Sequence, residues 1–194
     1  RWMQLAAPFD GAASELLRTE HRARGLTFAD GGASVLAAEY DRDRRWTRTL
    51  VHRLGSDTEP VVLEDRSIRD RYGSPGYVVE TDDGAGQDVA LQSGDWIYRA
   101  GSGASPEGLL PFLDRQNLRT GESERLWRCE LGAYEQVVEV FAQGDDGDQL
   151  AFVTSHETPT TPPNLIWREG DTKRALTAFA DPTPSIRGIK KELL

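Results

Sequence analysis

The chain holds one cysteine, Cys129, among 194 residues. A single thiol excludes an internal disulfide and any metal centre built from several cysteines. It fits a reducing compartment and is equally compatible with a periplasm. Lysine is nearly missing, with only Lys173, Lys190 and Lys191. The arginines lie scattered among acids and the net charge is −9. No basic patch of the kind that grips a phosphate backbone is visible, which argues against nucleic acid as a partner and against a charged membrane surface. No apolar run approaches the ~18 residues that a membrane helix requires. Helical periodicity is poor. Only Leu16-Leu17 and the trio Ile186, Ile189, Leu193 have apolar spacing that suits a helix, and both stretches are short. The opening residues Arg1-Trp2-Met3-Gln4-Leu5 are neither a secretory leader nor a Met start, so position 1 reads as an interior point of a longer protein.

What is abundant is short runs of Val, Leu, Phe, Tyr and Trp, each closed by Gly, Asp or Pro. These are strand and turn signals. Glycine and proline number 19 and 10, which breaks the chain often enough to keep every strand short. Strands are expected over 24–29, 34–40, 46–54 and 60–64, followed by a long polar loop from Asp65 to Gly76. A second set is expected over 77–81, 88–92, 95–100, 109–117 and 124–128, with a loop at 101–108. A third set runs over 135–141, 150–155, 165–168 and 174–179. The acidic turns Asp82-Asp83-Gly84 and Asp145-Asp146-Gly147-Asp148 lack the ligand spacing and distal Glu of a calcium loop, so both read as hairpin turns.

A unit of four short strands thus recurs about three times at a period of roughly 40–60 residues, the pattern of propeller blades. The fold class read here is all-β, a partial β-propeller of about three four-stranded antiparallel blades plus the edge of another. Residues 1–20 are the outer strands of a preceding blade, and 21–70, 71–130 and 131–185 are the blades. A β-sandwich has strands as short and stays open as the alternative.

Four stretches are more specific. Gly103-Ala104-Ser105-Pro106-Glu107-Gly108 is followed by Pro111-Phe112-Leu113-Asp114. Leu5-Ala6-Ala7-Pro8-Phe9 lies near the start. Asp65-Arg66-Ser67 leads on to Tyr72 and Pro75-Gly76. Pro163-Asn164-Leu165 precedes Leu176-Thr177-Ala178-Phe179. Taken in chain order they resemble the propeller of prolyl oligopeptidase family serine peptidases, closest to the chloroplast glutamyl endopeptidase type and its bacterial relatives. The resemblance implies a parent protein that hydrolyses peptides and a propeller that restricts access to an α/β-hydrolase domain of the same chain. It also implies that 186–194 is a linker toward that domain. Serine, acid and histidine of the triad would lie there, with the nucleophile in G-x-S-x-G. That spacing fails at Gly103–Glu107, Gly121–Arg125 and Gly32–Leu36, so no catalytic residue is assigned. No cofactor and no metal is called for.

Other residues carry less. His21, His52 and His156 read as sheet or surface residues, since neighbours along a strand point to opposite faces and the nucleophile elbow is missing. Trp46, Trp96, Trp127 and Trp167 read as packing between blades. Cys129 reads as a small buried strand residue. Arg66, Arg69 and Arg71 are the candidate substrate-binding residues, because an acidic side chain needs a cation to replace its lost hydration. The bland reading pairs them with Glu64, Asp65 and Asp70 on the surface. A fragment of a propeller would leave blade faces uncovered, so self-association is expected. A non-enzymatic propeller that binds other proteins is the alternative function.

Overall fold

In a computed structural model of the chain, residues 1–143 and 149–186 are described. The Asp145–Asp148 turn and the residues of the expected linker beyond 186 lie outside them. The strands, in chain order, begin with β1 (Trp2–Gln4), β2 (Ser14–Leu17), β3 (Arg22–Ala29), β4 (Ser34–Asp41), β5 (Trp46–Arg53) and β6 (Val61–Ser67). Next come β7 (Tyr77–Val78), β8 (Glu80–Asp82), β9 (Asp88–Ala90), β10 (Gln92–Ser93), β11 (Trp96–Gly101), β12 (Ala104–Ser105) and β13 (Gly108–Leu109). The last are β14 (Phe112–Asn117), β15 (Ser123–Arg128), β16 (Tyr134–Gln143), β17 (Gln149–Thr158), β18 (Thr161–Glu169) and β19 (Thr172–Ala175). The fold is all-β, with several sheets, almost wholly antiparallel and none closed, and this is consistent with a partial propeller. The described helices are two single turns of 3-10 type, and none is long and apolar enough to cross a membrane.

The chain divides into two compact units. The first holds residues 1–70, 80–90 and 118–122. Its sheet runs β6-β5-β4-β3-β9-β8. The first four of these strands form an antiparallel meander in the order of the sequence. β4 is the central strand, and Ser34 through Ala37 are buried without alternation because both faces are covered. Its neighbours alternate, with Thr49 and Val51 buried on β5. Leu17 packs with Val35 and Ala37, and Trp2, Leu26 and Leu54 close around them. The β1–β2 pair is therefore held against the sheet by apolar burial.

Turn chemistry explains the joints. The Asp41 carboxylate accepts bonds from the backbone N–H groups of Asp43 and Arg44 at 3.0 and 3.2 Å, and this turns β4 into β5. Asp82 and Asp83 do the same between β8 and β9, accepting from Gly84 at 2.6 Å and Ala85 at 2.7 Å.

The second unit holds residues 71–79, 91–117 and 123–194. One sheet runs β10-β11-β14-β15, with β7 paired to β11, and another runs β16-β17-β18-β19. Tyr98 and Leu113 of the former pack against Val140 and Phe152 of the latter. Trp127 joins this core, 5.8 Å from Phe152. Of the four tryptophans read as interior packing, only Trp127 has that place. Trp46 and Trp96 lie beneath the guanidiniums of Arg44 and Arg115. Trp167 stacks on Phe141. The indole N–H groups of Trp46 and Trp167 donate to the carboxylates of Asp65 and Glu169.

The pattern expected a single second set of strands from 77 onward. Instead Glu80–Asp82 and Asp88–Ala90 form a hairpin on β3 of the first sheet, with Phe28 facing Val89 in parallel register. Leu16-Leu17 is strand rather than helix. The polar loop from Asp65 begins later than read, because β6 continues through Ser67 with Arg66 opposite Thr47.

Candidate functional site: a charged end of the first sheet

The strand register brings two rows of side chains to one end of the first sheet. Ala23, Glu39, Arg48 and Asp65 stand opposite one another across β3, β4, β5 and β6. Arg22, Tyr40, Thr47 and Arg66 form the next row. Directly opposed residues share a face, and successive residues alternate, so the two rows lie on opposite faces.

The first row is an ion-pair ladder. Arg48 Nη1 donates to Glu39 Oε1 at 3.3 Å and to Glu20 Oε2 at 3.0 Å, and its Nε stands 3.5 Å from Asp65 Oδ2. Glu39 is only 1 % exposed, and its Oε2 accepts the backbone N–H of His21 at 3.0 Å. Trp46 Nε1 also donates to Asp65. The ligand atoms of Glu20, His21 and Glu39 lie within 4.8 Å of one another, a spacing that a metal could use. Arg48 already supplies the positive charge there, so the arrangement is a structural ladder. Nothing in the sequence singled out these residues, because Glu20, Glu39 and Arg48 are far apart along the chain and only register unites them.

The second row carries the candidate cation Arg66. Its Nε lies 2.7 Å from Glu64 Oε1, and its Nη1 donates to the carbonyls of Ser67 at 3.1 Å and Asp70 at 2.8 Å. These contacts tie Arg66 to the turn after β6. Arg69 is exposed in that turn, where its backbone N–H donates to Ser67 Oγ at 3.2 Å. Arg71 is exposed and belongs to the second unit.

Beside Arg66's row lies an open cleft of about 500 Å³ lined by Arg22, Ala23, Arg24, Tyr40 and Ile68. A bulge in β3 between Ala23 and Gly25 leaves Arg24 as the extra residue. Bulges re-aim side chains, and here the Arg24 guanidinium lies over the Tyr40 ring, 5.5 Å from its centre.

In the second unit the end of the 65–76 loop meets the start of the 101–108 loop. Arg99, 3 % exposed, binds the carbonyl oxygens of Pro75 at 3.2 Å and Gly76 at 2.9 Å and the side-chain oxygen of Gln116 at 3.0 Å. Gly76 has φ +77°, and a Cβ there would lie 2.1 Å from the Ala100 carbonyl oxygen. A smaller cleft of about 150 Å³ opens beside this joint, lined among others by Tyr77, Gly101, Pro111, Tyr134 and Gln136.

Among the described residues none of the three histidines hydrogen-bonds to a serine hydroxyl. His52 Nε2 is buried without a hydrogen-bond partner, and burial holds its pKa below the ordinary histidine value, against the opposing pull of the Glu39 charge. Cys129 is buried just past β15, its Sγ donating toward the carbonyls of Glu130 at 3.3 Å and Ala133 at 3.4 Å. Burial pushes this thiol's pKa up, which favours the protonated form.

No family model matches the chain. Two curated proteins do. A probable chloroplastic glutamyl endopeptidase of Arabidopsis thaliana is 32 % identical over 209 aligned residues, and its counterpart in Oryza sativa subsp. japonica is 28 % identical over 207. Each match covers the whole of this chain, and the chain spans 22 % of the length of either relative. From end to end, then, the chain is similar to a partial segment of chloroplastic glutamyl endopeptidase, the branch of the prolyl oligopeptidase family that its motifs resemble.

Proposed function

We propose that this chain is a non-catalytic propeller segment of a serine peptidase and that it governs which polypeptides reach a hydrolase domain elsewhere in a longer protein. The observation that carries the reading is the end-to-end match to about a fifth of two glutamyl endopeptidases, in a chain whose sequence has no G-x-S-x-G. The sheets support it. Two four-stranded antiparallel meanders, β3 to β6 and β16 to β19, follow one another in chain order, as blades do. A ring of such blades works by exclusion, because a narrow passage admits extended peptides and turns folded chains away. The chemistry of the parent would be acyl transfer from the peptide carbonyl to an activated serine, with the developing oxyanion held by backbone N–H groups.

The test is made on the parent protein. The open reading frame should continue into a domain with G-x-S-x-G. The purified parent should cleave a short unstructured peptide at least about a hundredfold faster than the same sequence held inside a folded domain. Deleting the segment that corresponds to this chain should abolish that preference while a small chromogenic ester is still hydrolysed. A parent without the serine motif, or one whose size preference survives the deletion, would overturn the reading in favour of a binding module.

A further inference from the structure

We propose that the cleft beside the joint of β7 and β11 is a docking site for a proline-rich segment of a partner protein, taken up in the polyproline II conformation. Four strands of the second unit meet there. Tyr77 opens β7, Gly101 closes β11, Pro111 precedes β14, and Tyr134 and Gln136 lie at the start of β16. Ser102 completes the rim. The chain carries 32 acids and 23 bases, yet none of the described residues that line this cleft is charged. An ionic ligand would lose hydration there with no counter-charge in return, so the cleft selects a neutral one.

The walls include two tyrosine rings and a proline, and Tyr77 is 60 % exposed, so its ring stands open to a ligand. The volume is about 150 Å³. Sites that enclose a whole small molecule run to about 300–1,000 Å³, so this one takes a single ring or side chain of a longer ligand. Its polar groups decide which. Among the described residues the hydroxyls of Tyr77 and Ser102 have no hydrogen-bond partner. The Gln136 side-chain oxygen accepts the Tyr134 hydroxyl at 3.2 Å, which leaves the amide NH2 as a donor. The cleft thus offers three donors. Proline has a carbonyl but no N–H, and in polyproline II no carbonyl is used internally. Such a segment presents acceptors together with flat apolar rings that pack on aromatic faces. An ordinary segment brings N–H groups as well, and it loses more conformational freedom on becoming extended. The seat is preformed: a Cβ on Gly101 would come within 2.6 Å of the Phe112 ring, and Arg99 ties down the carbonyls of Pro75 and Gly76 just before Tyr77.

The inference stands apart from the peptidase reading, because binding is measured without catalysis. The 194-residue chain is titrated, by fluorescence anisotropy, with a labelled octaproline peptide and with a Gly/Ser peptide of the same length. The proline peptide should bind at least about tenfold tighter, and raising the salt to about 0.5 M should change its affinity by less than about twofold, since no ion pair is made. The double variant Y77A/Q136A should erase the preference. Y77F, which keeps the ring and loses one donor, should retain part of it. Y72A, which removes an exposed tyrosine outside the cleft, should leave it intact. A urea-unfolding midpoint unchanged from the parent chain would establish that each variant is folded. Equal affinity for the two peptides, a preference that survives Y77A/Q136A or is lost in Y72A, or strong weakening by salt would each overturn the proposal. So would N-acetylprolinamide binding as tightly as octaproline, which would identify a free small molecule as the ligand.

Discussion

Arg168 holds Glu135 with two parallel hydrogen bonds, Nε to Oε1 and Nη2 to Oε2, each 2.8 Å long. The pair spans β18 and β16 across β17, whose Thr154 hydroxyl donates to the same carboxylate. Glu135 is 4 % exposed, so its charge has traded water for three protein donors. Removing the cation leaves a buried carboxylate without its counter-charge, which typically costs about 3–5 kcal/mol. Arg168→Leu should therefore destabilise the second unit by that order, and the double variant R168L/E135L should recover much of the loss. Urea unfolding of the single and double variants checks this, and equal destabilisation in both would refute it.

The ladder around Arg48 makes a parallel prediction in the first unit. Arg48→Met should destabilise by about 3 kcal/mol or more, because Glu39 stays buried and Glu20 and Asp65 lose their shared partner. Adding Glu39→Gln should return part of that stability by removing the uncompensated charge. Chemical denaturation of R48M and R48M/E39Q would decide it.

Gly76 sits where only glycine fits. Its φ of +77° already disfavours a side chain, and the added Cβ would meet the Ala100 carbonyl. Gly76→Ala should cost at least about 2 kcal/mol and loosen the joint between β7 and β11. Gly84→Ala is the control: its φ is +83°, but nothing lies within 4 Å, so only about 1–2 kcal/mol of backbone strain is expected. Thermal melts of the two variants should rank in that order.

His52 gives the chain a pH dependence of defined sign. Its pKa is lowered in the folded state, chiefly by burial. The unfolded chain therefore takes up the proton first, and stability falls as pH drops through the ordinary histidine value of about 6.5. The fall ends once the folded protein binds the proton as well. Asp41 and Glu15 act at lower pH. Their pKa values are held down, by backbone N–H donors from Arg44 and Asp43 and by the Arg18 side chain respectively, so their contributions fade only as pH falls through the carboxylate range. His52→Leu should flatten the stability profile between about pH 7 and 5 while leaving the acidic limb in place. A profile unchanged in that window would place the titration elsewhere.

Self-association is expected of the isolated chain. A propeller segment taken from its ring leaves blade faces uncovered, and Leu131, Val138 and Phe179 are 69 %, 53 % and 65 % exposed. Sedimentation velocity should show concentration-dependent association, and a clean monomer at high concentration would remove the expectation.

Much of the strand inventory was legible because alternation and turn residues are local. The β4–β5 hairpin and the meander from β16 to β19 follow from runs of Val, Leu and Phe closed by Asp and Gly. The end of β6 was not legible, because Asp65, Arg66 and Ser67 are all polar. Their strand character comes from pairing with Arg48 and Trp46, not from burial periodicity. The placement of 80–90 beside β3 was hidden for the same kind of reason, since one parallel bridge, Phe28 to Val89, leaves no mark in local pattern. The candidate cations divided likewise. Arg66 could be named from a motif, but its capture by Glu64 and two carbonyls is a matter of geometry. Arg24 looks ordinary in sequence, and only a bulge in β3 places its guanidinium over Tyr40.

By itself the sequence determined that this is a strand-built chain with the motifs of a peptidase propeller and without a nucleophile elbow, because those properties reside in contiguous residues. Which charges neutralise one another was decided only by tertiary structure. Register sets residues such as Arg48 and Glu20, 28 positions apart, at hydrogen-bonding distance, so whether an arginine is engaged depends on the strand that lies beside it.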